Sequence, residues 1–401
     1  MIRNLSRTMK LVLALICLVS VGTLFASPPP ADAGSPDQRR AEAYVRQLGS
    51  PRYRDRERAA AELVRMGRAA KAALMAGKAD SDPEVQTRCQ QLLPQALSLD
   101  LMYRLDRYLK DTDGELEHDL PLLKLYQEKV GTDGNSRKLY AEMLTVNGAL
   151  LEAAEEEPGR VTERVQQRYQ EMYQEMFGNA VGGFRGGYRP GVLNPAEICC
   201  VLFAASTPAY KPVQPDWMLS NLYAQPTFTT PLKDEKNGTA YRKVLFHYLD
   251  ARMDDNTLNQ CVWTLCQHRI KDGADLLAKA LAGGKVSQVY TRATAMCAVG
   301  TLGTREHVKV FGPLLKDDTQ IQPFFVGRGQ RGQVKVCDVA LAMTIHLSGK
   351  NPKDYGFELW QVYPNQLIQY HQLGFGSDEE RASAFKKWEA EAGKASAPQK
   401  K

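Results

Sequence analysis

Apolar residues recur along most of this chain at intervals of three and four, the period of a helix, and rarely alternate as strands require. The pattern is sharpest between Lys271 and Gly349. There Val289-Tyr-Thr-Arg-Ala293-Thr-Ala295-Met296 is answered by Val336-Cys-Asp-Val-Ala340-Leu-Ala342-Met343, both of the form Val-x-x-x-Ala-x-Ala-Met. An apolar helix precedes each copy, Ala274–Leu281 before the first and His307–Leu315 before the second. A fainter echo, Val85-Gln-Thr-Arg-Cys89, puts Cys in the slot held by Ala293 and Ala340. Helix pairs of this kind cannot bury an apolar face alone and are expected to stack on their neighbours.

The same period predicts helices over Gln38–Leu48, Asp55–Met66, Ala69–Gly77 and Pro83–Leu93, with Asp82 as the cap of the last. From 100 to 177 the chain reads as helical without a repeat; Ser136 is the expected cap of one helix and Thr162 the start of another. Composition then changes. Gly178–Pro190 holds five glycines and Thr207–Thr230 four prolines, so 178–238 reads as a loop-rich insertion interrupted by one helix, with Asn194 as cap and Glu197 closing a capping box. Regular pairs resume over 239–349. The following segment, 350–392, begins aromatic-rich, with six aromatic residues between Tyr355 and Phe375, and ends in a helix capped by Ser377 with Glu380 as its box partner. Residues 393–401 read as a disordered tail.

Three stretches, Ala69–Leu97, Ala274–Gly303 and Val308–Gly349, resemble HEAT repeats, the armadillo-type helical repeats. Pro313 matches the proline of that family's first helix, Asp82 and Asp317-Asp318 match its acidic turn, and Lys335 approximates the basic residue that opens its second helix. Gln86 and Tyr290 depart from that basic position, Gly283-Gly-Lys replaces an acidic turn, and Thr319–Gln330 is an insertion of 12 residues. The resemblance implies an all-α fold, a HEAT-like α–α superhelix (solenoid) in two repeat segments, 36–99 and 239–349, with the loop-rich insertion between them. It carries no chemistry.

The N-terminus changes the compartment. Arg3, Arg7 and Lys10 precede the apolar run Leu11–Ala26, Pro28-Pro-Pro ends it, and Ala31-Asp-Ala33 offers small residues for cleavage before Gly34. Residues 1–33 therefore read as a secretory signal peptide of bacterial type, because the run is shorter than the roughly 20 residues that span a bilayer. The mature chain is expected to be secreted or periplasmic, with no stable membrane insertion. Removing three basic residues and one acid lowers the net charge from +6 to +4, too mild for a dedicated nucleic-acid binder. Seven cysteines remain, and their apolar helical surroundings mark them as small core residues rather than disulfide partners.

Candidate chemistry is sparse. Cys261, Cys266 and His268 point in different directions around a helix and do not form a metal set. Gly178–Pro190 lacks the Lys-Ser/Thr ending of a phosphate loop, and its Phe184-Arg-Gly-Gly-Tyr188 core is a single RGG-type copy. Arg52, Arg54, Arg56 and Arg58 alternate with acids and read as a solvated helix start. Asp111-Thr-Asp-Gly-Glu115 has the wrong spacing for a calcium loop and reads as a turn. No catalytic, cofactor or metal residue is assigned. The expected function is a non-catalytic scaffold that binds a protein partner through its helical surface and repeat insertions. Phe324, Phe325, Arg328 and Arg331 in the last insertion, and Tyr355, Trp360 and Tyr363 in the aromatic segment, are the candidate contacts. The rival reading is an exported enzyme or enzyme accessory with its site in 178–230.

Overall fold

A computed structural model describes residues 35–177, 193–212, 217–326 and 329–396. The expected signal peptide, the Gly-rich stretch 178–190 and Arg328 lie outside them. The chain is mostly helical, and no helix among the described residues is long and apolar enough to cross a membrane. It forms two compact units that divide between Arg107 and Tyr108.

In the first unit, α1 (Pro36–Gln47) starts where the Ser35 hydroxyl accepts the Gln38 N–H. α2 (Tyr53–Met66) and α3 (Lys71–Gly77) both pack on it. α4 (Pro83–Lys110) is capped by Asp82, whose carboxylate accepts the Glu84 N–H. Its length corrects an expected end near Leu93: Pro94 sits inside the helix without terminating it. The core is built from small and branched residues, among them Ala41, Leu48, Leu63, Leu74 and Cys89. The arginine-rich start of α2 is salt-bridged, with Arg88 of α4 reaching Glu57 at 3.0 Å.

The second unit opens with α5 (Leu123–Lys129), α6 (Gly134–Glu156) and α7 (Val161–Phe177). The cap of α6 is Asp133, not Ser136: its carboxylate accepts the N–H groups of Asn135 and Ser136 and the Ser136 hydroxyl. α8 (Pro195–Ser206) follows the Asn194 cap, but Glu197 closes no box and pairs instead with Arg168 at 2.8 Å. Ten of its 12 residues are buried, because α6, α7 and α11 (Thr239–Arg252) all pack on it. The expected loop after α8 holds two further short helices, α9 (Trp217–Tyr223) and α10 (Pro226–Lys233).

From 239 onward the helices come in pairs. α11 is followed by α12 (Asp255–Gln267), α13 (Gly273–Ala282) by α14 (Val289–Leu302), and α15 (Val308–Phe311) by α16 (Val336–Leu347). First helices touch first helices, α11 to α13 to α15, and second helices touch second helices, α12 to α14 to α16. Ala293 and Ala340, at matching places in the two motif copies, are both fully buried, as is Cys89 in the first unit. The small residues let α14 lie between α12, α13 and α16 with nine of its 14 positions buried.

The mostly helical content is consistent with the all-α expectation, and one short element departs from it. Between α15 and α16 the chain makes an antiparallel β-hairpin, β1 (Gln320–Val326) and β2 (Gly329–Lys335), where a flexible insertion over Thr319–Gln330 is expected. After α16 the chain runs over that helix as short turns and ends in α17 (Asp378–Ser396), which continues past the expected fray at 393.

Candidate binding face

The hairpin sorts its own side chains. A bulge between Gln320 and Gln322 adds one residue, so Ile321 and Phe324, three apart, both turn inward although strand side chains alternate. Phe325, next in line, stands 53% exposed. Phe324 packs against Gly374, where an added Cβ would sit 2.7 Å from its ring. Gly332 meets the backbone of Phe375, and Gln333 bridges to the same residue. The two phenylalanines thus separate: Phe324 is core and Phe325 is surface.

The aromatic segment divides in the same way. Tyr355 and Trp360 are buried, so they offer no open ring to a partner; Trp360 lies beside His346 of α16 with ring centres 5.1 Å apart. Phe357 and Phe375 pack with tilted rings, centres 4.7 Å apart, and the Ile368 N–H donates to Thr301 on α14. Only Tyr363, 49% exposed, keeps its ring in water. Arg328 lies outside the described residues, and of Arg331 only the backbone, within β2, is described.

Two further aromatic residues, missed by sequence reasoning, are exposed like Phe325 and Tyr363. Trp263 on α12 is 57% exposed and Tyr290 in the first turn of α14 is 53% exposed. The Asn259 amide donates to Thr291 at 3.0 Å, tying α12 to α14 one turn from Trp263 and one residue from Tyr290. Arg292 pairs with Asp317 at 2.6 Å, tying α14 to the residues just before the hairpin. α14 also touches β1 and the turn at 370–372. Tyr290 had a legible signal, since it stands where the repeat pattern expects a basic residue. Trp263 had none, because a lone Trp on a helix reads as core.

The first-helix row carries a different surface. Arg242 bridges α11 to Asp272 at 2.9 Å, Lys279 of α13 reaches back to Asp250 at 2.7 Å, and His307 pairs with Asp275 at 3.1 Å. The first two pairs and Asp275 line a shallow groove of about 480 Å³. His247 lies in its wall with Nε2 buried and without a partner. Burial first, and the nearby Lys129 second, hold that imidazole below its usual pKa, so it is neutral at pH 7. Paired, screened charges of this kind favour stacking of the helices over ligand capture.

The two thiols in the described part of 178–230 are buried. Burial pushes the thiols of Cys199 and Cys200 well up, and Cys200 Sγ donates to the Met143 carbonyl. Asp111 organises a turn: its carboxylate accepts the N–H groups of Glu115 and Leu116 and contacts His118 Nε2 at 2.8 Å. Cys261 and Cys266 are buried core residues, and no metal-holding cluster of His, Cys, Asp or Glu is found among the described residues. No family model matches the chain, and no curated protein or solved structure matches it.

Proposed function

We propose that this chain is an exported, non-catalytic scaffold of HEAT-like helical repeats that binds a protein partner through the face bearing Trp263, Tyr290, Phe325 and Tyr363. The observation that carries this reading is the half-exposure of these four rings, three of them on α12, α14 and β1, which pack against one another through α14, and Tyr363 in the turn segment after α16. Large aromatic side chains left in water cost solubility unless a partner covers them, and they are the residues that dominate protein interfaces. The solenoid part of the reading draws support from the paired order of 239–349, in which like helices touch like. Export draws support from the basic, apolar and small-residue sequence of 1–33.

The test compares the mature chain with a Trp263→Ala, Tyr290→Ala, Phe325→Ala variant, each immobilised and exposed to an envelope extract of the source cell. The expected result is a discrete protein retained by the first and lost by the second, with equal melting temperatures for the two baits. An unchanged set of retained proteins would refute the assignment of the face.

A further inference from the structure

In the second unit, Arg137 is a buried cation without a counter-ion. It sits in the first turns of α6 with 7% of its surface exposed. One Nη donates to the Tyr108 carbonyl, and the guanidinium carbon lies 4.4 Å from the centre of the Tyr108 ring. Among the described residues no carboxylate pairs with it. Burying a charge is costly, and buried charges are ordinarily paired. Two of the acids that share a cavity with it are engaged elsewhere: Asp111 is held by His118 and two backbone N–H groups, and Glu155 accepts the Leu122 N–H at 3.2 Å.

The guanidinium instead lines a cavity of about 860 Å³ bounded by the turn 111–119, α5 and α6. Leu116, Leu120 and Leu123 supply apolar wall, Asp111, Glu117, Asp119 and Glu155 supply negative charge, and Lys124 adds a second cation beside Arg137. We propose that this cavity binds a small organic monocarboxylate with an apolar body. Its carboxylate takes the place of the missing counter-ion on the free edge of Arg137, where the planar fork of donors suits two oxygens. Its hydrocarbon part lies on the leucines, in a space of the size that small-molecule pockets occupy. The acids in the wall repel a second negative charge, so phosphate, dicarboxylates and polyanions are disfavoured. This site uses no residue of the aromatic face, and the two proposals stand or fall separately.

The test is calorimetric titration of the mature chain with 4-methylpentanoate, L-leucine, 4-methylpentylamine and inorganic phosphate. The expected result is binding of 4-methylpentanoate, with L-leucine as a weaker or equal ligand because it carries the same carboxylate, and no binding of the amine. Arg137→Gln is expected to weaken the carboxylate by about tenfold or more, the loss that accompanies removal of a charged hydrogen-bond partner. Arg137→Lys keeps the charge without the fork and is expected to fold and bind at intermediate strength. Binding of phosphate as tight as that of the carboxylate, binding of the amine, or no heat from any probe would overturn the proposal. Should Arg137→Gln fail to fold, wild-type affinity in Arg137→Lys together with an unchanged response to salt would overturn it as well.

Discussion

Arg381 of α17 holds Asp338 of α16 through two hydrogen bonds, Nε to Oδ1 at 2.7 Å and Nη2 to Oδ2 at 3.2 Å, with the carboxylate wholly buried. The Lys335 N–H donates to the same carboxylate, and Arg381 also reaches the Gln333 carbonyl of β2. Burial pushes the Asp338 carboxyl up while the guanidinium pulls it back, a balance that only the intact pair keeps. One ion pair therefore joins the hairpin, α16 and the last helix.

Removing Asp338 should leave the buried Arg381 with only the exposed Asp378, among the described residues, as an acidic partner. Asp338→Ala is expected to destabilise the second unit by about 3–5 kcal/mol, the usual cost of breaking a buried pair. Urea unfolding followed by circular dichroism measures it. A loss under about 1 kcal/mol, at the level of an exposed pair, would mean that water reaches Arg381 in solution.

The hairpin makes a sharper claim, since adjacent residues of one type are assigned opposite roles. Phe324→Ala is expected to cost about 3–5 kcal/mol as a core truncation, and Phe325→Ala within about 0.5 kcal/mol of nothing, as a surface change. Thermal melts of the two variants decide. Equal effects would show that the bulge before Gln322 does not set the register.

Tyr108 carries a buried hydroxyl without a hydrogen-bond partner, its ring edge-on to His118 at 5.3 Å and to Tyr140 at 5.7 Å. A buried polar group left unsatisfied costs about 1–3 kcal/mol. Tyr108→Phe deletes the hydroxyl and keeps the ring, so its melting temperature is expected to rise or hold. A clear fall would reveal a bonded hydroxyl.

Two of the three histidines held below their usual pKa carry the pH test; the third, His268, is lowered by burial and then by Lys233 and is kept in both proteins. Burial lowers the pKa of His346 beside Trp360, and burial with Lys129 lowers that of His247. In the unfolded chain both return to about 6.5. A folded value below the unfolded one means stability that is fully present above about pH 6.5 and lost as pH falls toward the folded values. Melting temperature should decline between pH 7.5 and pH 5.5, and His346→Gln with His247→Gln should flatten that decline. A flat wild-type profile would exclude the buried neutral imidazoles.

Much of the helical order was legible because it rests on period alone: α11, α13 and α14 each show an apolar stripe or a small-residue seam in sequence. Local chemistry could mislead. Ser136 looks like a cap, yet Asp133 three residues earlier has two carboxylate oxygens and captures both the backbone and Ser136 itself. Pro94 looks like a stop, but a proline removes one hydrogen bond, and packing of the surrounding residues carries α4 through it. The hairpin was hidden because its inward residues Ile321 and Phe324 are three apart, a helical spacing produced here by a bulge. The exposed aromatic face was half legible: the hairpin and the aromatic segment were readable as interruptions of the repeat. Which of their rings face water depends on α14, α16 and the turns that cover them, contacts distant in sequence.

The all-round burial of α8 governs the order in which the chain can fold during synthesis. Residues 195–206 leave the ribosome with α6 and α7 already made, but the side that meets α11 stays bare until residues past 239 emerge. Over that interval a helix of almost purely apolar sequence presents a sticky flank to anything nearby. An export route that threads the chain unfolded and releases it whole would spare the cell that exposure, whereas a truncation before Thr239 would make the flank permanent and send the fragment to aggregation.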